Sequence, residues 1–350
     1  MSVRALSVVP GKPDTAAVRD HPDPAPSEGE LLVEGLLMGV CGTDIEIIQE
    51  GYGWSPPGEE RLIIGHESLG RVVDAPADSG FAKGDLVAGI VRRPDPVPCE
   101  PCGRGQWDFC RNGKYTERGI KERNGYGASQ WRVEPQFAVR LDPGLGDAGV
   151  LIEPTSVVAK AWEQSEKIGE RAPTPRRVAL VTGAGPIGLL AALMGVQRGY
   201  DVHVLDRVES GPKPRLARDL GAAFHSGQVD EIGVLPDIVI ECTGYGPLVF
   251  DLVNVVAKDA VICLAGISAS NRKVTVGLDS INKEMVLENI VLFGSVNAAR
   301  RHYEQAADAL AKADVDWLNR LVSRRAPLSK YTEALERRDD DVKVAIDLRD

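Results

Sequence analysis

Cys41, in the segment GVCGTD, and the pair His66–Glu67, in IIGHESLG, supply a thiol, an imidazole and a carboxylate within one short stretch of chain. These are the donor types of catalytic zinc, whose protein ligands leave one position open for water or substrate. Taken singly, Cys41 also reads as a small buried apolar side chain and His66 as a core histidine, and spacing alone does not choose. A second group, Cys99, Cys102 and Cys110, lies in the proline-rich stretch PDPVPCEPCGRGQWDFC. CxxC also marks redox motifs, but a thioredoxin-like site requires a strand–helix context that this loop lacks.

The third chemical signal is a turn. GAGPIG, residues 183–188, follows an apolar run at 178–182 and opens a helical stretch at 186–198. In that context Gly183 permits a tight turn, Gly185 lets the backbone approach a pyrophosphate, and Gly188 lets helix pack on strand. Pro186 and Ile187 begin the helix, whose free N–H groups and positive dipole end face the anion. The next strand, DVHVLDR, ends at Asp206, 21 positions after Gly185. A carboxylate there accepts ribose hydroxyls and repels a 2′-phosphate, which favours NAD; the adjacent Arg207 can pair with that phosphate and keeps NADP open.

These groups need elements to position them. A chain of 350 residues exceeds one ordinary core, so two domains are expected, and 43% apolar with 26% charged residues indicates a folded globular protein. The net charge of -10 argues against nucleic acid as a partner, because a phosphate backbone requires a concentrated basic face. No apolar run suggests a membrane span, and the opening MSVRALSVVPGKPD lacks the apolar core of a signal peptide. A cytoplasmic setting is therefore expected, where structural disulfides are rare and the six cysteines need another role.

Up to about residue 150 the chain reads as short β segments, at 30–40, 68–73 and 85–91, with no long amphipathic helix. From Glu153 a helical pattern leads into the glycine turn. Strands beginning near 237, 260 and 289 then alternate with helical stretches, the pattern of a parallel sheet covered on both faces.

GVCGTD, then GHE, then Glu153–Pro154, then GAGPIG, in this order, resemble the zinc-containing medium-chain alcohol dehydrogenase family over essentially the whole chain. Within it, DFCRNGKYTERGIKERNGYGASQW and NKEMVLENIVLFGSVNAARRHYEQA are most similar to the glucose 1-dehydrogenase branch. The resemblance implies an α/β fold: a β-rich, GroES-like catalytic domain over residues 1–155 and 298–350, and a Rossmann doubly wound parallel-sheet domain over 156–297. It places the active site in the cleft between them. It implies that Cys41, His66, Glu67 and Glu153 serve a catalytic zinc, that Thr43 passes the substrate proton outward, and that Asp44 orients a ligand or nearby loop.

Relatives carry a four-cysteine structural zinc lobe, and here Pro96 stands where the first cysteine would be. Asp95, one residue away, offers an oxygen ligand for a Cys3Asp zinc site; the other outcome is a metal-free lobe of reduced thiols. The branch further implies that Asn297 lies near nicotinamide and sugar and that Glu117 hydrogen-bonds sugar hydroxyls. The reaction implied is hydride transfer from C1 of an aldose, D-glucose first, to NAD(P)+, giving gluconolactone. Another polyol, aldose or cyclitol is the alternative substrate. A zinc-free quinone-type reductase is disfavoured by the intact ligand set, and a non-catalytic nucleotide-binding protein by Thr43 beside it. Members of the family are homodimers or homotetramers.

Overall fold

The computed structural model of the chain describes residues 2–22, 29–268 and 272–350. It divides into two compact units, residues 1–156 with 298–350, and residues 157–297.

The first unit is built on a seven-stranded sheet. Its order runs from Ala138–Arg140 through Leu86–Gly89, Glu67–Asp74, Leu31–Gly39 and Val344–Asp347 to Arg324–Pro327, with Gln130–Val133 also paired to Leu31–Gly39. The central strand, LLVEGLLMG, turns Leu31, Val33, Leu37 and Met38 into the core. It pairs antiparallel with Glu67–Asp74, setting Glu67 opposite Gly39. The C-terminal strand lies on its other side, with Ala345 opposite Gly39. Three distant stretches of chain thus converge at one sheet position.

The helix Gly42–Glu50 follows the central strand directly. The β-rich reading of this region gives no helix here, because two adjacent buried isoleucines, Ile47 and Ile48, form too short an apolar face for periodicity to register. The caps carry the signal instead. Asp44 Oδ2 accepts the Cys41 N–H (2.9 Å), three residues apart as in a capping box. Gly51 ends the helix in the left-handed region at φ 74°.

The second unit is a six-stranded, wholly parallel sheet ordered Ala223–His225, Asp201–Leu205, Val178–Thr182, Ile238–Glu241, Val261–Leu264, Val291–Gly294. Numbered within the unit this is 3-2-1-4-5-6, the dinucleotide-binding order, whose reversal falls at the first strand. The helix Pro186–Gln197 has no polar face and buries Leu189 to Gly195. A helix apolar all round has to be enclosed, and this one packs against the strands Val178–Thr182 and Asp201–Leu205.

Candidate active site

Cys41 occupies the N-cap of the helix Gly42–Glu50, while His66 and Glu67 stand where the chain enters the strand Glu67–Asp74. One ligand atom from each lies within 4.8 Å of the other two. Thr43 is partly buried in the first turn of the same helix, two residues from Cys41.

Two further side chains hold this cluster. Asp44 is fully buried; its Oδ2 takes the Cys41 N–H and its Oδ1 stands 3.6 Å from His66 Nδ1. A carboxylate facing Nδ1 orients the imidazole and leaves Nε2 for a metal. Lys343, 2% exposed, donates from Nζ to Val40 O (3.0 Å) and to the Glu67 carboxylate. Gly39 makes room for that carboxylate, since a Cβ there would sit 2.1 Å from Glu67 Oε2. Lys343 is the residue sequence reasoning missed. It is 276 positions from Glu67, and only the pairing of the C-terminal strand beside Leu31–Gly39 brings the two together.

Glu153, at the start of the helix Ile152–Gly169, does not join the three-residue cluster but feels its charges. Burial raises its pKa to about 7, with His66 and Lys343 opposing the shift and Glu67 and Asp44 adding to it. Burial acts to lower the pKa of His66, yet Asp44 and then Cys41 outweigh it and hold the imidazole well above its ordinary value. Glu67, Glu153 and the Cys41 thiol thus act on Lys343, while Asp44 faces His66. The donor set of thiol, imidazole and carboxylate fits a divalent cation such as zinc.

The cysteine lobe gathers its three thiols. Ligand atoms of Cys99, Cys102 and Cys110 lie within 4.8 Å of one another, with Cys99 Sγ and Cys110 Sγ 4.0 Å apart. Backbone N–H groups of Arg111 and Cys102 lower the Cys99 pKa to about 7, whereas burial lifts Cys102 to about 12. Asp95 does not join the group; its Oδ1 accepts the Val97 N–H at 2.9 Å.

The Glu117 side chain is largely buried. It takes a two-point ion pair from Arg92, at 3.0 Å from Nε and 2.9 Å from Nη2, and that guanidinium stacks over Tyr115, 3.7 Å from the ring centroid. Asn297 closes the second unit in the left-handed region at φ 60°, which asparagine tolerates better than most residues.

In the second unit Gly183 takes φ 89°, and a Cβ on Gly188 would lie 1.7 Å from Gly183 O. A side chain would therefore force turn and helix apart. At Gly185, the helix N-cap, a Cβ would meet nothing within 4 Å, so the space in front of the helix N-terminus is open. Pro186 and Ile187 follow in its first turn. Asp206 accepts the Ala184 N–H on Oδ2 (2.6 Å) and the Val208 N–H on Oδ1 (3.1 Å), tying the second strand to the glycine turn; Arg207 is exposed. An open cradle at a helix N-terminus fits a dinucleotide pyrophosphate.

Comparison with known proteins places the chain in a family. Residues 27–143 match the alcohol dehydrogenase GroES-like domain, and residues 146–348 match the glucose dehydrogenase C-terminus. The chain is 38% identical to a glucose 1-dehydrogenase of Methanocella arvoryzae, over 99% of each chain. It is 37% identical to one of Thermoproteus tenax, over 99% of this chain and 100% of that one. A structure of Haloferax mediterranei glucose dehydrogenase in complex with NADP, zinc and gluconolactone superposes with a TM-score of 0.89, at 33% identity over 98% of this chain and 99% of that one. On these matches, which together span nearly the whole chain, the chain belongs to the zinc-containing medium-chain dehydrogenase family, in its glucose dehydrogenase branch.

Proposed function

We propose that the protein oxidises the C1 hydroxyl of an aldose, D-glucose first, with NAD(P)+, and releases the lactone. The observation that carries this is the cluster of Cys41, His66 and Glu67, ligand atoms within 4.8 Å, backed by Asp44 and Lys343. Cys41, His66 and Glu67 would hold zinc, with Glu153 able to exchange with one of them or with water. When bound, zinc supplies a Lewis acid that acidifies the substrate hydroxyl, and the nicotinamide supplies the hydride acceptor.

The chain's own residues do the rest. Thr43 takes the hydroxyl proton and passes it outward. Glu117, locked by Arg92, and Asn297 present fixed hydrogen-bonding groups to sugar hydroxyls; such a site discriminates strongly, because a missing hydroxyl leaves a buried partner unpaired. Gly183, Gly185, Pro186, Ile187 and Gly188 form the pyrophosphate turn. Asp206 favours NAD, while exposed Arg207 gives NADP a partner. The three thiols of the cysteine lobe form a second metal site, without Asp95 as its fourth ligand. Residues 1–155 with 298–350 act as the catalytic domain and 156–297 as the nucleotide domain. All six cysteines are free thiols and no described helix is long and apolar enough to cross a membrane, which supports work in the cytoplasm.

The test is the absorbance of reduced nicotinamide across a panel of sugars, polyols and simple alcohols with both cofactors. Glucose is expected to lead. Turnover of simple alcohols alone would overturn the sugar assignment.

A further inference from the structure

Lys160 is a buried cation with no part in the reaction as proposed. It is 3% exposed, on the helix Ile152–Gly169. Its charge reaches the Cys263 thiol, in the strand Val261–Leu264, where it opposes the upward shift that burial imposes. An ammonium is costly to bury unless hydrogen bonds hold it. A methionine would fill a similar volume without that cost, so packing alone does not call for a lysine here.

What the ammonium holds is a carbonyl 136 positions away: Lys160 Nζ donates to Val296 O at 3.0 Å. This is where the parallel sheet runs out. The last pair on its final ladder is Leu264 with Gly294, and the Ser295 N–H adds one more bond, to Leu264 O (2.9 Å). Past that bond the chain has left the strand Val291–Gly294, and Lys160 takes the Val296 carbonyl. Asn297 then stands in the left-handed region at φ 60°. A residue other than glycine keeps such a conformation only where its surroundings over-determine it. Ser295 and Val296, tied to Leu264 O and to Lys160 directly before it, contribute that constraint.

We propose that Lys160 is a positioning residue for the dehydrogenase reaction. It acts through Val296 O, by fixing where the Asn297 side chain is presented to the nicotinamide. The proposal rests on the reading that sets Asn297 beside nicotinamide and sugar.

The test is calorimetry on the full-length, zinc-loaded protein. It compares the tighter-binding of NAD+ and NADP+ with the matching ADP-ribose or its 2′-phosphate, which lacks the nicotinamide. Lys160→Met is expected to weaken the dinucleotide about tenfold, the loss of a hydrogen bond from a charged donor, and to leave the ADP-ribose within about twofold. Lys160→Arg, which keeps a donor on a long stem, is expected to recover most of the affinity. The double variant Lys160→Met with Asn297→Ala is expected to bind the dinucleotide no more weakly than Asn297→Ala alone, because the second change removes what the first misplaces. Both ligands weakened together would make Lys160 a packing residue and overturn the proposal. Losses that add in the double variant would overturn it too, and leave the reading of Asn297 standing. Unaltered dinucleotide affinity in Asn297→Ala would instead overturn that reading, and the proposal with it.

Discussion

At the scale of single residues, charge placement around the ligands makes the sharpest predictions. Lys343→Met strands the Glu67 carboxylate in the interior with only a bound metal to balance it. In chelated protein this is expected to cost about 3 kcal/mol in urea unfolding, the usual penalty for breaking a buried ion pair. Metal-loaded protein should lose less, and equal losses in both states would show that no cation sits beside Glu67. Cys41→Ala and His66→Ala are expected to bind nicotinamide and lose turnover.

Glu134 supplies a pH test away from the site. Burial alone would raise its pKa, but Arg93 (2.9 Å) and Arg123 (3.0 Å) outweigh it and lower the value from 4.5 to about 2. A carboxylate whose pKa is depressed on folding stabilises the folded state above its unfolded value, and that stability is lost as pH falls from about 4.5 towards 2. Glu134→Gln should remove about 1–2 kcal/mol at neutral pH, allowing for partial solvent screening, and little at pH 2. A constant difference across that range would refute the ion-pair account.

At the scale of elements, the strand–turn–helix of the nucleotide unit separates packing from binding. Gly188→Ala drives a methyl into Gly183 O, 1.7 Å away, and should cost about 1–3 kcal/mol of stability as helix and turn separate. Gly185→Ala meets nothing within 4 Å, so the fold should hold while nucleotide affinity falls. Calorimetry of unfolding and of cofactor binding on the two variants reads the two effects apart. Equal nucleotide affinity in Gly185→Ala would move the pyrophosphate elsewhere. The glycine turn was fully legible in the sequence because its constraints are local. The helix carrying Thr43 was not, since nine residues hold too little periodicity and its Cys41–Asp44 cap looks like chemistry before it looks like structure.

At the scale of the whole molecule, the nucleotide unit leaves an edge unsatisfied. Val291–Gly294 ends the six-stranded sheet among the described residues, and the helix Leu278–Leu287 has no buried residue. Leu278, Val286 and Leu287 are exposed. An open strand edge near uncovered apolar side chains is a candidate surface for a second copy, which the following variant tests. Val286→Lys with Leu287→Lys is expected to give a smaller species in sedimentation while the fold persists; an unchanged species would place the interface elsewhere.

The sequence by itself determined the parts whose physics is local. The strand–glycine–helix signature rests on neighbours within about 30 residues, and the metal motifs and the alternation of strands with helices are read from their order along the chain. Tertiary structure alone decided what long-range pairing creates. It set Lys343 against Glu67 through a C-terminal strand laid beside Leu31–Gly39, and it committed Glu117 to Arg92. It also gathered three thiols without Asp95, whose Oδ1 accepts the Val97 N–H. A buried charge takes whichever partner the fold brings within reach, and no spacing along the chain records that distance.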